Sequence, residues 1–147
     1  MNRPTFIPRV AYTNLDAAVA WLEQAFGFET TLTAKDVDGH LVHAEMVFGN
    51  GTIRLGGEWE NVRSPGAVGG ANTQTVTVEV DDVDAHCERA RKAGGVIVQD
   101  PTDQFHGDRT YRVADLEGHV WQFSKRLRDV TIAEMEKALP GIKVWMR

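Results

Sequence analysis

The sequence predicts an α+β fold built from two tandem β-α-β-β-β units, at residues 5–57 and 73–125, followed by a short C-terminal helix. Within each half, apolar residues change from the alternation of a strand to the spacing of one helical face and back again. A shift of 68 residues also superposes the first half on the second without a gap. We therefore expect residues 1–147 to form a single domain with a mixed sheet, because a chain of this length can bury about 68–70% of its unfolded surface.

The first unit begins with a strand at residues 5–12, which Pro8 limits to a sheet edge or a strand start because proline has no N–H to donate. Asn14 is the predicted N-cap of a helix that ends at Gly27. The apolar stripe of this helix consists of Leu15, Ala18, Val19, Leu22 and Phe26. Three more strands are predicted, at residues 28–34, 41–48 and 52–56.

The second unit repeats the helix cap, the glycines and the strand positions of the first. The 68-residue shift places the helix cap Asn14 on Asp82, and residues 53–55 on residues 121–123. It also aligns six identical pairs: Val10 with Val78, Asp16 with Asp84, Ala17 with Ala85, Ala25 with Ala93, Gly27 with Gly95 and Gly39 with Gly107. The second unit is therefore expected to hold a strand up to residue 80, a helix at residues 83–93 and three strands that end in a hairpin at residues 107–123.

Two segments lie outside the repeat. Residues 57–72 are rich in glycine and form a predicted linker or lid, in which Trp59 either folds over a ligand or pins the loop to the core. Residues 126–147 form a C-terminal appendix, where Thr131 and Glu134 make a capping box for a short helix. Its apolar end is expected to pack against the body or against a second subunit.

Composition limits the classes of partner. Sixteen basic and 21 acidic residues give a net charge of −5 without a dense basic cluster, which argues against nucleic acid. No apolar run is long enough to span a membrane, so we expect a cytoplasmic location. The single cysteine, Cys87, excludes an internal disulfide and falls in a helical pattern, where we expect it to be buried.

Three features of the sequence occur together: the paired units, the A-F-G-F of residues 25–28, and the D-L-E-G-H-V-W-Q-F of residues 115–123. In these features the chain resembles the vicinal oxygen chelate superfamily, which contains glyoxalase I, extradiol dioxygenases, and the fosfomycin and bleomycin resistance proteins. The H-A-E-M of residues 43–46, followed by G-N-G-T-I-R-L, is most similar to the small PhnB-like members. The resemblance covers residues 6–124 and implies units that curl around a shared cavity, a divalent metal bound by inward side chains, and a homodimer.

The family's metal-ligand positions fall here on residues that are poor ligands. Carried over one at a time, they are Ile7, Arg54, Thr75 and Gln122. None is histidine, aspartate or glutamate, the residue types whose lone pairs bind such cations. We therefore expect no metal and no cofactor, and neither glyoxalase I nor dioxygenase activity, while leaving open whether the protein is an enzyme.

Strand alternation predicts which side chains share the cavity face. If Gln122 points inward, the inward set contains Ile7, Arg9, Ala11, Thr52, Arg54, Thr75, Thr77, Glu79 and Gln122. The third strand adds His43 and Glu45, and the repeat maps His43 onto Tyr111. Arg112 has the wrong parity for this face, and Glu117 and His119 are expected to be exposed turn residues.

The leading hypothesis is a metal-free protein that binds a small molecule through this face and Trp59. Arg54 would present bidentate donors to an anionic or carbonyl-bearing ligand. One alternative is a metal-dependent lyase or isomerase resembling glyoxalase I that uses His43 and Glu45 as ligands. Another is a non-catalytic dimeric module whose cavity is filled, with Arg9 and Arg54 paired to Glu45 and Glu79. The acidic net charge favours a cationic ligand and the two arginines favour an anion, so the charge of the ligand stays open.

Overall fold

The computed structural model describes residues 3–147 and confirms the α+β fold with two repeated units. The first unit consists of β1 (Arg9–Ala11), α1 (Leu15–Phe26), β2 (Glu29–Lys35), β3 (Leu41–Phe48) and β4 (Gly51–Gly56). The second consists of β5 (Val76–Glu79), α2 (Val83–Lys92), β6 (Val96–Asp103), β7 (Asp108–Ala114) and β8 (Val120–Arg126). A 3-10 helix at Pro65–Val68 lies in the linker, and α3 (Ile132–Ala138) follows the second unit.

Each unit forms a four-stranded mixed sheet of the same topology. The strand orders are β1-β4-β3-β2 and β5-β8-β7-β6, with the first pair of each sheet parallel and the other pairs antiparallel. Within residues 3–147, no ladder of hydrogen bonds joins one sheet to the other. The two units are therefore held together by side chains and loops.

Helix α1 begins and ends at the residues that the sequence predicts. Helix α2 begins at the predicted residue and ends one residue before the predicted end. The side chain of Asn14 accepts a hydrogen bond from the N–H of Ala17, and Gly27 ends α1 with a left-handed φ of 77°. The five residues of the predicted apolar stripe of α1 are all buried. In the second unit, Asp82 caps α2 in the same way, and Cys87 is buried as expected.

The two units share one apolar core. Phe26, at the end of α1, contacts two residues of β8: its ring centroid lies 5.7 Å from that of Trp121 and 4.7 Å from that of Phe123, both in edge-on arrangements. Such aromatic pairs contribute about 0.5–1.5 kcal/mol each beyond the burial of their area. The first helix is thus packed against the second sheet as well as its own.

The turn between β7 and β8 is built around a buried carboxylate. Asp115 is 5% exposed, and its Oδ1 accepts hydrogen bonds from the backbone N–H groups of Glu117 and His119. Its Oδ2 accepts from the Trp121 indole at 3.0 Å and from the Tyr12 hydroxyl, in the first unit, at 2.6 Å. A buried charge is tolerated only when it is fully hydrogen-bonded, and these four donors meet that requirement.

Glu117 and His119 are half-buried, so the expectation that they are exposed turn residues is wrong. The Glu117 carboxylate accepts hydrogen bonds from the N–H and hydroxyl of Thr13, the N–H of Asn14 and the hydroxyl of Ser64. Burial alone would raise the pKa of Glu117, but these hydrogen bonds outweigh it and lower the pKa. His119 Nε2 donates to the carbonyl of Ala11 at 2.7 Å. Both side chains fasten the turn to the loop between β1 and α1.

The third strand of the second unit does not follow the 68-residue shift. Arg54 and Gln122 are 68 residues apart, but their cross-strand partners, Glu45 and Arg112, are 67 apart. This difference of one residue arises at the hairpin turns. The turn between β3 and β4 contains two residues, whereas the turn between β7 and β8 contains five. A slip of one residue turns every side chain of a strand to the other face. Tyr111 therefore lies in the core, fully buried, and Arg112 lies on the opposite face, which corrects the predicted orientation of both.

The C-terminal appendix contacts the body at its start, where the N–H of Leu127 donates to the carbonyl of Gly107 at 2.9 Å. Thr131 and Glu134 form both hydrogen bonds of the predicted capping box. Beyond α3, Lys143 pairs with Glu136 of that helix at 3.1 Å, whereas the side chains of Trp145 and Met146 are 83% and 69% exposed. Within the described chain, no helix combines the length and apolar character needed to span a membrane.

We expect Tyr12→Phe to lower the free energy of unfolding by about 1.5–3 kcal/mol, because it removes a hydrogen bond to a buried charged group. Tyr111→Phe is the matched control: it removes a hydrogen bond to the neutral ring of His86, which is worth about 0.5–1.5 kcal/mol. Urea unfolding of both variants measures the difference. Equal losses would contradict the role assigned to Asp115.

We also expect stability to fall in mild acid because of His86. Its Nε2 donates to the Phe26 carbonyl at 2.9 Å and its Nδ1 accepts from Tyr111, so the ring is neutral. Burial, and to a lesser degree the charge of Arg89, lowers the pKa of His86 below its usual 6.5. The unfolded chain therefore takes up the proton first, and the contribution of the neutral ring, complete above the usual pKa, is lost as the pH falls below it. Urea unfolding at about pH 7.5 and about pH 5.5 should show a smaller loss for His86→Gln than for the unaltered protein. An identical loss in both proteins would refute this explanation.

Candidate functional site

Most of the predicted site residues lie on the sheet faces that point away from the core. We define the first polar face by Arg9, His43, Glu45 and Arg54, and the second polar face by Thr77, Glu79, Arg112 and Gln122. The alternation that produces these faces is visible in β3, where the buried residues Ala44 and Met46 alternate with His43 and Glu45. Thr75 is exposed directly before β5, and Trp59 is 55% exposed in the linker, outside both faces.

The first polar face contains one cross-strand ion pair. Arg54 Nε donates to Glu45 Oε1 at 2.9 Å, and Arg3 reaches the same oxygen at 3.3 Å. Arg54 uses one N–H for this bond, and its side chain stays 40% exposed, which leaves its remaining donors at the surface.

Arg9 lies beside Arg54 on the neighbouring strand but binds no carboxylate within the described chain. Its Nη2 donates to the backbone carbonyl of Gly57 at 3.0 Å. The predicted pairing of two arginines with Glu45 and Glu79 is therefore present only between Arg54 and Glu45.

The second polar face contains a chain of hydrogen bonds across three strands. Arg112 Nε donates to Gln122 Oε1 at 2.9 Å, and Gln122 Nε2 donates to Thr77 Oγ1 at 3.3 Å. Arg112 is the residue that sequence reasoning excluded. Only the register of β7 against β8 places it on this face, and no local sequence signal reveals that register.

The two polar faces are not joined on one chain. Among residues 3–147, no hydrogen bond or ion pair connects a residue of the first polar face to one of the second. The predicted site residues are thus distributed over two surfaces, each with its own arginine and its own internal hydrogen bonds.

The residues at the four family metal positions do not fit a divalent cation. Arg54 is a cation engaged with Glu45, and both ends of the Gln122 amide are already hydrogen-bonded. Ile7 has no lone pair to offer, and Thr75 is a weak neutral ligand. Within residues 3–147, no three histidine, cysteine, aspartate or glutamate side chains are close enough to hold a metal ion. The alternative ligands His43 and Glu45 are disfavoured because two guanidinium groups bind the Glu45 carboxylate.

Two pockets lie between the units. The first, of about 420 Å³, is enclosed by β1, the start of β8 and the linker, and we call it the linker pocket. The second, of about 400 Å³, lies between β4 and β5 and has a mostly apolar lining that includes Phe6 and Phe28; we call it the open pocket. Arg9 belongs to the linker pocket, whereas Thr77 and Glu79 belong to the open pocket.

Comparison with known proteins gives consistent matches over nearly the whole chain. A family model described as the glyoxalase/bleomycin resistance protein/dioxygenase superfamily matches residues 7–123. The uncharacterized protein Mb0911c of Mycobacterium bovis is 29% identical over 141 residues, which cover 92% of each protein. The crystal structure of TioX from Micromonospora sp. ML1 superposes with a TM-score of 0.68 at 36% identity, covering 87% of this chain and 100% of that one. TnmS3, an antibiotic binding protein from Streptomyces sp. CB03234, superposes with a TM-score of 0.65 over 86% of this chain and 99% of its own; at 16% identity, that likeness concerns the fold alone.

Proposed function

The chain belongs to the glyoxalase/bleomycin resistance protein/dioxygenase superfamily, and from this premise we propose that it binds a small molecule on its polar faces without a metal ion. The observation that carries the proposal is the chemistry at the four family metal positions, where Arg54 and Gln122 take part in hydrogen-bonded networks instead of presenting carboxylates. The fold supports a binding role as well, since TnmS3, which shares it, is an antibiotic binding protein.

The charges of the two faces favour a ligand rich in carboxylate or carbonyl oxygens. The faces carry three guanidinium groups, those of Arg9, Arg54 and Arg112, against the two carboxylates of Glu45 and Glu79. One carboxylate is already bound by Arg54, so free N–H donors outnumber free acceptors. Guanidinium groups match planar oxygen acceptors with two parallel hydrogen bonds. A local excess of positive charge thus outweighs the net charge of −5 as a guide to the ligand.

We propose further that the complete site forms in a homodimer, with the first polar face of one copy opposite the second polar face of the other. Two observations support this arrangement. No hydrogen bond or ion pair connects the faces within residues 3–147 of one chain, and the apolar side chains of Trp145 and Met146 are largely exposed. An exposed apolar segment of this kind is typical of a surface that a partner covers.

Protein purified without a histidine tag should contain no stoichiometric divalent metal, because the residues at the family positions are not metal ligands. Elemental analysis measures the metal. A thermal-shift screen of carboxylates and polyamides, repeated with EDTA, should then give stabilising ligands whose effect EDTA does not change, since ligand binding raises stability by mass action. A tightly held stoichiometric ion, or ligand shifts that EDTA abolishes, would refute the metal-free proposal.

Mixing two variants tests the dimeric site. Arg54→Ala and Gln122→Ala should each weaken binding of a ligand from the screen by about tenfold, the loss of one good polar contact. After subunit exchange, a mixed dimer carries both changes in one site and neither in the other. Random exchange in an equal mixture makes about half of the dimers mixed, so calorimetry should recover about a quarter of all sites at full affinity. Lys92→Ala, a change at the exposed end of α2 outside both faces, is the control and should leave binding unchanged. If mixing restores nothing, the site does not combine faces from two copies.

A further inference from the structure

The linker pocket and the open pocket are equivalent positions of the two repeated units. The 68-residue shift that relates the first-unit strands to the second maps Arg9–Ala11, of the linker pocket, onto Thr77–Glu79, of the open pocket. It also maps the open-pocket residues Thr52 and Ile53 onto Val120 and Trp121 of the linker pocket. The repeat thus creates two pockets that are bordered by equivalent strands. The residues that differ between the two pockets distinguish their binding properties.

One difference is that the linker lines only the linker pocket. Residues of the segment 61–74 form one side of this pocket, and two residues of this segment, Ser64 and Asn72, are hydrogen-bonded to the turn between β7 and β8 or to the residue that follows it. The Ser64 hydroxyl donates to the Glu117 carboxylate at 2.7 Å. The Asn72 side chain donates to the Gly118 carbonyl at 2.9 Å and accepts from the N–H of Val120 at 3.0 Å. The linker side of the pocket is therefore held in place by hydrogen bonds without any rearrangement, which lowers the entropic cost of binding.

The second difference is charge. The linker pocket is lined by two arginines and no acidic residue, and one of these, Arg63, is neutralised by Glu58 at 2.6 Å. Arg9 has no such partner within residues 3–147. At the equivalent place, the open pocket has Thr77, and Glu79 adds a carboxylate to its lining. Only the linker pocket therefore offers an uncompensated positive charge.

A glycine holds this charge in position. The guanidinium of Arg9 lies over Gly56, where a Cβ atom would be 2.2 Å from Arg9 Nη2. The missing side chain lets the guanidinium lie against the strand and donate to the Gly57 carbonyl, with its other N–H groups available. Its location is therefore fixed by the backbone and not by a carboxylate.

We propose that the linker pocket binds a small organic carboxylate with an apolar body. Arg9 would hold the carboxylate by charge-assisted hydrogen bonds, and the amide of Gln74, which forms no hydrogen bond within the described chain, supplies a further donor. Val10, Val76 and Val120 supply an apolar wall for the remainder of the molecule. A volume of about 420 Å³ lies in the usual range for small-molecule sites, roughly 300–1,000 Å³. This site shares Arg9 with the first polar face and otherwise lies apart from Arg54, Arg112 and Gln122, on which the proposed function centres.

Cinnamate and its neutral amide, cinnamamide, are suitable probes because they share shape and differ in charge. We expect cinnamate at millimolar concentration to shift the backbone amide resonances of Val10 and Val120, which line only the linker pocket, and cinnamamide to bind at least about tenfold more weakly. Equal binding of the two probes, no binding of cinnamate, or shifts confined to the open pocket would each overturn the proposal.

Three variants locate the interaction. Arg9→Gln should weaken cinnamate binding by about tenfold or more, and Gly56→Ala should weaken it similarly while keeping the charge, because the new Cβ displaces the guanidinium. Gly57→Ala is the matched control: a Cβ there meets nothing within 4 Å, and the carbonyl that Arg9 uses is retained. Amide spectra of each variant establish that it is folded.

Arg54→Gln separates this proposal from the polar-face function, because Arg54 does not line the linker pocket. Cinnamate binding in the linker pocket, followed through the amide resonances of Val10 and Val120, should be unchanged in this variant, whereas carboxylate binding on the polar faces should be weakened. Unchanged cinnamate affinity in Arg9→Gln and Gly56→Ala, or a loss in Arg54→Gln as large as that in Arg9→Gln, would overturn the linker-pocket site.

Discussion

The buried carboxylate of Asp115 is the interaction on which the relation between the two units depends. A charge in a protein interior has to be surrounded by donors, and one of its four donors, Tyr12, comes from the other unit. The turn is therefore complete only when the units are docked. Glu117 and His119 extend this contact to the loop before α1, and the same Glu117 holds Ser64 of the linker. Unit docking, helix capping and linker position thus rest on one five-residue turn.

Local signals predicted the fold because they act over a few residues. Helix caps such as Asn14 and Asp82, the apolar stripe of α1 and the alternation in β3 are all satisfied within their own elements. The orientation of Tyr111 and Arg112 could not be predicted in this way, because it depends on the lengths of two hairpin turns that differ between the units. The partners of Glu117 and His119 were equally hidden, since Thr13 and Ala11 lie over a hundred residues away in sequence and Ser64 lies 53 residues away.

The candidate site was predicted in part for the same reason. Strand alternation grouped Glu45 with Arg54 on one face of their sheet, opposite the core, and the pairing of Arg54 with Glu45 follows from adjacent strands. The position of Arg9 could not be predicted in this way. Its guanidinium lies over Gly56 of the neighbouring strand, in the space that the absent side chain of this glycine leaves. Such packing depends on three-dimensional proximity, which strand patterns alone do not encode. Charges that look equivalent in sequence therefore have different partners and different surroundings.

The one-residue difference between the β3 and β7 alignments also limits how far the two halves are interchangeable. In a duplicated protein, matching segments are often treated as modules that recombination or design can exchange. Here an exchange of β3 with β7 at the 68-residue alignment would carry Tyr111 to a polar surface and place Arg112 in the apolar core. A buried, unpaired guanidinium is among the most unfavourable changes a core can undergo. The hairpin of each half can be transplanted only together with its own turn, so the unit of exchange in this architecture is the complete hairpin and not the single strand.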